Sequence, residues 1–166
     1  MNSKKEHLTI LSDAERSALY DRPEYNNEQR LEYLSLTQEE LQIALFRHNI
    51  SSQIYCILQF SYFKAVKMFF RLTWAEVDQK DLNFILQQYF QNQVFELQII
   101  SKHEHYAQSD SISSYFGYVY WAKTHEQTLF IQSKKIIRLD MNPQFIALEL
   151  LDYLQEQKIL RPGYTT

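Results

Sequence analysis

The sequence predicts an all-α fold, a single multi-helix globular domain of about seven or eight helices, and three observations carry that expectation. Helix-capping residues recur along the chain, apolar residues return with the 3.6-residue period of a helix, and the residues that make tight turns are scarce. Glycine occurs twice and proline three times in 166 residues. Hairpin-rich folds need glycine wherever φ is positive, so this scarcity weighs against sheets.

The elements follow in order. Ser12 with Glu15 forms a capping box, in which the hydroxyl accepts from the third amide and the carboxylate reaches back to the cap amide. Pro23 breaks the helix it opens. Thr37 with Glu40 opens another, with Leu41, Ala44 and Leu45 on its apolar face. The longest helix is expected over 52–72. At ~100° per residue, Ile54, Ile57, Leu58, Ala65, Met68 and Phe69 share one broad face, and Tyr62, Val66 and Phe70 lie opposite, so the helix is largely buried. Between those faces Gln53, Lys64, Lys67 and Arg71 fall within a stripe of roughly 60°, a basic ridge on an apolar helix. Leu82, Ile85, Leu86 and Tyr89 mark the next helix. Ser101 with Glu104 opens one that Gly117 closes as its C′ residue, and Thr124 with Gln127 starts another. Asn142-Pro143 begins the last, with Leu148, Leu151 and Leu154 inward and Pro162-Gly163 beyond its end. Residues 1–10 read as a flexible polar tail and 11–166 as the helical domain.

Composition excludes several functions. With 45% apolar and 22% charged residues the chain is no disordered tail, and at its length roughly 70% of the unfolded surface is buried on folding. Gly117 and Gly163 alone cannot write a Rossmann or P-loop fingerprint. The lone Cys56 forms no intramolecular disulfide, and in IYCILQF it reads as a small buried hydrophobe. The N-terminus lacks an apolar signal region, and no apolar run reaches the ~18–20 residues that span a bilayer, so a cytoplasmic protein without membrane contact is expected. His103-Glu104-His105 is the best metal motif on offer, but on a helix i and i+2 diverge by roughly 200°, so no metal is expected there. No pair of carboxylates is flanked by apolar sequence that would raise a pKa for acid–base work. Neither catalytic residues nor a cofactor is therefore expected, and the chain is not expected to be an enzyme. Tyr115, Phe116, Tyr118, Tyr120 and Trp121 are assigned to core packing.

Net charge is −3, which as a total argues against nucleic acid. Its distribution is uneven. Residues 41–75 contain no acid but hold Arg47, Lys64, Lys67 and Arg71, and residues 127–139 contain no acid but hold Lys134, Lys135 and Arg138. Salt screens charges beyond ~8 Å, so contact-range fields are local. Two readings fit: solvated cations snorkelling past neighbouring aromatic rows, or two basic zones facing a phosphate backbone.

Four segments in order, LSDAERSALYDRP, ILQFSYFKAVKMFF, HYAQSDSISSYFGY and NPQFIALELLDYLQEQKILRPGYTT, resemble the N-terminal region of transposases of the Tn-three family, the large replicative transposases of bacteria. The resemblance covers about residues 8–166. It implies a helical DNA-binding region that recognises terminal inverted repeats, with the carboxylate triad and its magnesium ions in a separate domain much further along a longer polypeptide. Many members are richly basic around 47–53, with an Asn-Arg pair opening the long helix; here that pair reads Ser52-Gln53, and Arg47 alone remains of the preceding arginines. Asn49 and Gln53 retain the ability to hydrogen-bond adenine edges or phosphates.

The expected function is thus non-catalytic binding of double-stranded DNA at transposon ends. Arg47, Asn49, Gln53, Lys64, Lys67 and Arg71 form one expected surface, and Lys134, Lys135 and Arg138 a second. Downstream transposase domains are the other expected partners. The rival is a docking domain for those domains or a regulator, with little direct DNA contact.

Overall fold

The computed structural model describes residues 10–163, and more than half of these are helical. Eight α-helices and one 3-10 turn follow in order: α1 (Asp13–Tyr20), α2 (Asn27–Leu34), α3 (Gln38–Leu45), α4 (Ile50–Val66), the 3-10 turn Trp74–Glu76, α5 (Gln79–Tyr89), α6 (Lys102–Phe116), α7 (Thr124–Ile137) and α8 (Pro143–Glu156). The fold is all-α, as the caps and periodicity predict. Among the described residues the only β pairing is an isolated parallel bridge between Val119 and Ile159. The tail expected over 1–10 lies, apart from Ile10, outside the described residues.

The described residues divide into two units, one of residues 22–116 and one joining 10–21 to 117–163. In the first, α4 is the hub: α2, α3, α5 and α6 all pack on it, and α2 also packs on α5. Every residue of α4 from Ser51 to Phe63 except Gln53 is buried. Each large apolar side chain so placed contributes ~1.5–3 kcal/mol. The polar residues inside find partners, as burial requires: Tyr25 Oη donates to Ser61 Oγ at 3.3 Å, and Arg30 Nε meets Asp81 Oδ1 at 2.6 Å. Burial raises the Asp81 carboxyl above its ordinary value, and the Arg30 guanidinium opposes that rise.

Two expectations about α4 are corrected. It ends at Val66, not near residue 72, because Lys67 adopts the left-handed conformation (φ 55°) and its N–H closes the helix on the Phe63 carbonyl. Extended backbone follows, held by Gln59: its amide donates to the Phe70 carbonyl at 2.8 Å and accepts from the Phe70 N–H at 3.1 Å. Arg71 is therefore not on the helix, and the four-residue ridge of Gln53, Lys64, Lys67 and Arg71 along one helix does not exist.

The capping boxes at Ser12/Glu15 and Thr37/Glu40 form in full, and a third joins Asn26 to Gln29. At α6 half the box forms: Ser101 Oγ accepts from the Glu104 N–H at 3.1 Å, while the Glu104 carboxylate turns to Ser52 and Gln108. Thr124 is not a cap. Lys123 precedes α7 in helical conformation with no side-chain cap, and a cap requires extended backbone. Asn142 caps α8 with Pro143 at its start, and Gly117 follows α6 at φ +74°, the conformation glycine tolerates best.

In the second unit α7 packs against α8, and Gln144 at the start of α8 donates to both carboxylate oxygens of Glu15 (2.8 and 2.7 Å). Arg161 donates to the Leu19 carbonyl and lies over the Tyr20 ring. The bridge at Val119 is closed by Val119 N–H to Lys158 carbonyl (2.9 Å) and Leu160 N–H to Val119 carbonyl (2.8 Å).

Candidate nucleic-acid interface

The residues expected at the first surface are mostly engaged in holding the helices together. Asn49 caps α4, its Oδ1 accepting from the Ser52 N–H at 2.8 Å. Gln53 Nε2 donates to the carbonyl of Leu45 (3.1 Å), left open at the C-terminal end of α3, and to that of Arg47 (3.0 Å) just beyond it. Arg47 is half-buried, donates from Nη2 to Ser111 Oγ at 2.8 Å, and lies beside the Cys56 thiol. Lys64 Nζ reaches the Ser35 carbonyl at 3.1 Å and the buried Glu40 carboxylate at 3.2 Å. Lys67 Nζ turns back to the Lys64 carbonyl at 2.8 Å and sits 5.8 Å from the Phe63 ring centre. Arg71 alone of the six is exposed, on the segment after α4 beside Trp74 and Glu76.

Around these residues the interior is polar and hydrogen-bonded, apart from Arg47 Nε and Gln108 Oε1, which are buried without a hydrogen-bond partner among the described residues. Ser52 Oγ and Gln108 Nε2 both donate to Glu104 Oε1, the latter at 2.8 Å. Burial raises the Glu104 carboxyl, yet the hydrogen bonds from Ser52 and Gln108 outweigh it and leave the pKa below the ordinary value. His105 is buried, with Nδ1 2.9 Å from Tyr55 Oη, whereas His103 is exposed. Burial, with the Arg71 charge second, pushes the His105 pKa down. Burial pushes the Cys56 thiol up to about 12, which suppresses the thiolate a nucleophile needs. Among the described residues no group of three or more His, Cys, Asp or Glu could hold a metal ion. No helix among them is long and apolar enough to cross a membrane.

The second surface is built differently. Lys134, Lys135 and Arg138 occupy the C-terminal turn of α7 and the residue after it, and all three are exposed. At i, i+1 and i+4 they spread over one end of the helix, where cations also suit the helix dipole. Lys134 Nζ lies 4.4 Å from the centre of the Phe130 ring, so the cation is anchored over an aromatic face. The Phe130-to-Lys134 spacing of four, which puts the two side chains on one face of the helix, is the sequence signal for that contact. Apolar side chains crowd the same end: Phe130 is 60% exposed, Leu139 83% and Met141 78%. Of the aromatic residues assigned to the core, Tyr115 and Phe116 pack on Phe60, and Phe116 also stacks on Phe63. Tyr120, by contrast, is 47% exposed and is not a core residue.

A family model described as a domain of unknown function, DUF4158, matches residues 10–166. The chain belongs to the DUF4158 family. The match takes in both units, so the domain includes the helical hub around α4 and the exposed basic end of α7. No curated protein and no solved structure matches the DUF4158 chain.

Proposed function

We propose that this DUF4158 domain is the non-catalytic DNA-binding domain of a Tn-three-family transposase, and that it recognises the terminal inverted repeats through the basic end of α7. The observation that carries this reading is the exposed triplet Lys134, Lys135 and Arg138, in a stretch with no acid from 127 to 139, on a chain whose net charge is −3. The four ordered segments that resemble the family's N-terminal region supply the identity of the DNA. The internal roles of Asn49, Gln53 and Lys64 move the weight of the interface away from α4.

The docking reading is kept because one observation favours it: Phe130, Leu139 and Met141 expose apolar surface beside the cations, as surfaces that bury against protein do. A labelled duplex carrying the inverted repeat, titrated at several salt concentrations, separates the two. Each phosphate contact contributes about −0.9 to the slope of log K against log salt, so replacing Lys134, Lys135 and Arg138 together by Gln should flatten it by roughly 3 units. Absence of duplex binding by the folded domain at low salt would favour docking onto downstream transposase domains.

A further inference from the structure

Residues 93–100, QVFELQII, run between the turn after α5 and the start of α6 without belonging to a helix or a sheet. Within 94–100 the backbone groups that find partners are those of Gln98 and the Glu96 carbonyl, all on one edge. The Gln98 N–H donates to Ser51 Oγ at 2.8 Å, Ser51 Oγ donates to the Glu96 carbonyl at 3.5 Å, and Trp74 Nε1 donates to the Gln98 carbonyl at 2.7 Å. In an extended chain the amides and carbonyls of alternate residues point to opposite edges. The other edge belongs to Phe95, Leu97 and Ile99, whose backbone groups have no hydrogen-bond partner among the described residues. Natural proteins shield such an edge with lysine, proline or a bulge. Here it is unshielded, and Val94 and Ile99 beside it are 96% and 94% exposed.

We propose that this edge pairs with the same segment of a second copy of the chain, antiparallel, about a two-fold axis at Leu97. In that register Leu97 faces Leu97 of the second copy and Phe95 faces Ile99, so the three open residues of each copy exchange about six hydrogen bonds. Val94 falls opposite Ile100, and Glu96, the only charged residue of the stretch, falls opposite Gln98. An axis at Glu96 would set two carboxylates face to face, which is destabilising, and would use the edge already bonded to Ser51 and Trp74. An axis at Ile99 would run the pairing into Lys102, where α6 begins. The Leu97 axis alone uses the whole extended stretch, and an isologous contact of this kind closes as a dimer. It also carries Ile99 of one copy to Phe95 of the other, at an open recess of about 560 Å³ lined by Leu82, Leu86, Phe95 and Leu97.

Sedimentation equilibrium of the full chain, with amide hydrogen exchange at rising concentration, tests this. The expected result is a dimer in which the Phe95, Leu97 and Ile99 amides become protected as the dimer forms, while Gln98 is protected throughout. Gln98→Glu places Glu opposite Glu96 twice and should weaken association by about three- to tenfold; Gln98→Lys should tighten it comparably. Leu97→Pro, which removes the central donor without touching an intramolecular bond, should abolish it, with circular dichroism confirming the helices. A chain that stays monomeric with those three amides unprotected overturns the proposal, as does a dimer indifferent to both Gln98 substitutions. Capture of a strand from another protein without self-association overturns it too.

Discussion

Lys64 shows how a residue read as surface charge becomes framework. It satisfies the buried Glu40 carboxylate and the Ser35 carbonyl, so Lys64→Gln leaves a buried acceptor without its cation. The expected cost is about 1–3 kcal/mol, read as a lower Tm by roughly 2–4 °C per kcal/mol, with little change in the salt slope of DNA binding. The reverse pattern, an unchanged Tm and a flattened slope, would return Lys64 to the interface. His105 carries a pH signature. Its folded-state pKa is depressed by burial, so below the unfolded value near 6.5 the unfolded chain takes up a proton that the folded chain resists. The stability it contributes is complete above that value and is lost as pH falls through the depressed one. Denaturant melts at pH 7.0 and 5.5 should show the loss, with a slope of at most about 1.4 kcal/mol per pH unit. His105→Gln should remove most of that slope; a slope that survives the substitution would assign it to other groups.

At the scale of elements, the parts of the sequence that were legible were local. The boxes Ser12/Glu15 and Thr37/Glu40, the Asn142-Pro143 start and Gly117 depend on residues within one turn of each other, and they stand where expected. The C-terminus of α4 was not legible, because 67–72, KMFFRL, is compatible with helix and contains no Gly or Pro. What stops the helix is tertiary: Gln59 pairs with the Phe70 backbone, and Lys67 accepts a left-handed φ that costs a non-glycine residue of order 1–3 kcal/mol. Lys67→Gly should therefore stabilise the domain by about 1 kcal/mol, whereas an uninterrupted helix through 67 would be destabilised by the same change. Chemical denaturation of the two proteins decides the sign. The segment 93–100 also escaped the sequence reading, since apolar β-branched runs without strict alternation fit several structures and only its one-sided bonding to Ser51 and Trp74 defines it.

For the whole molecule, charge counted along the sequence was a poor guide to charge presented at the surface. The window 41–75 holds four cations and no acids, yet Lys64 and Lys67 are tied to internal carbonyls and Arg47 is half-buried. The smaller window 127–139 keeps all three of its cations exposed at the end of α7. That contrast is why the proposed DNA contact lies on α7 while the hub around α4 is assigned to stability. The most direct test is an amide chemical-shift map of the isotope-labelled domain as an inverted-repeat duplex is added at low salt. The account predicts perturbations concentrated over residues 130–142 and reversed by added salt. Perturbations confined to 47–53 and 64–71, or none at all, would contradict it.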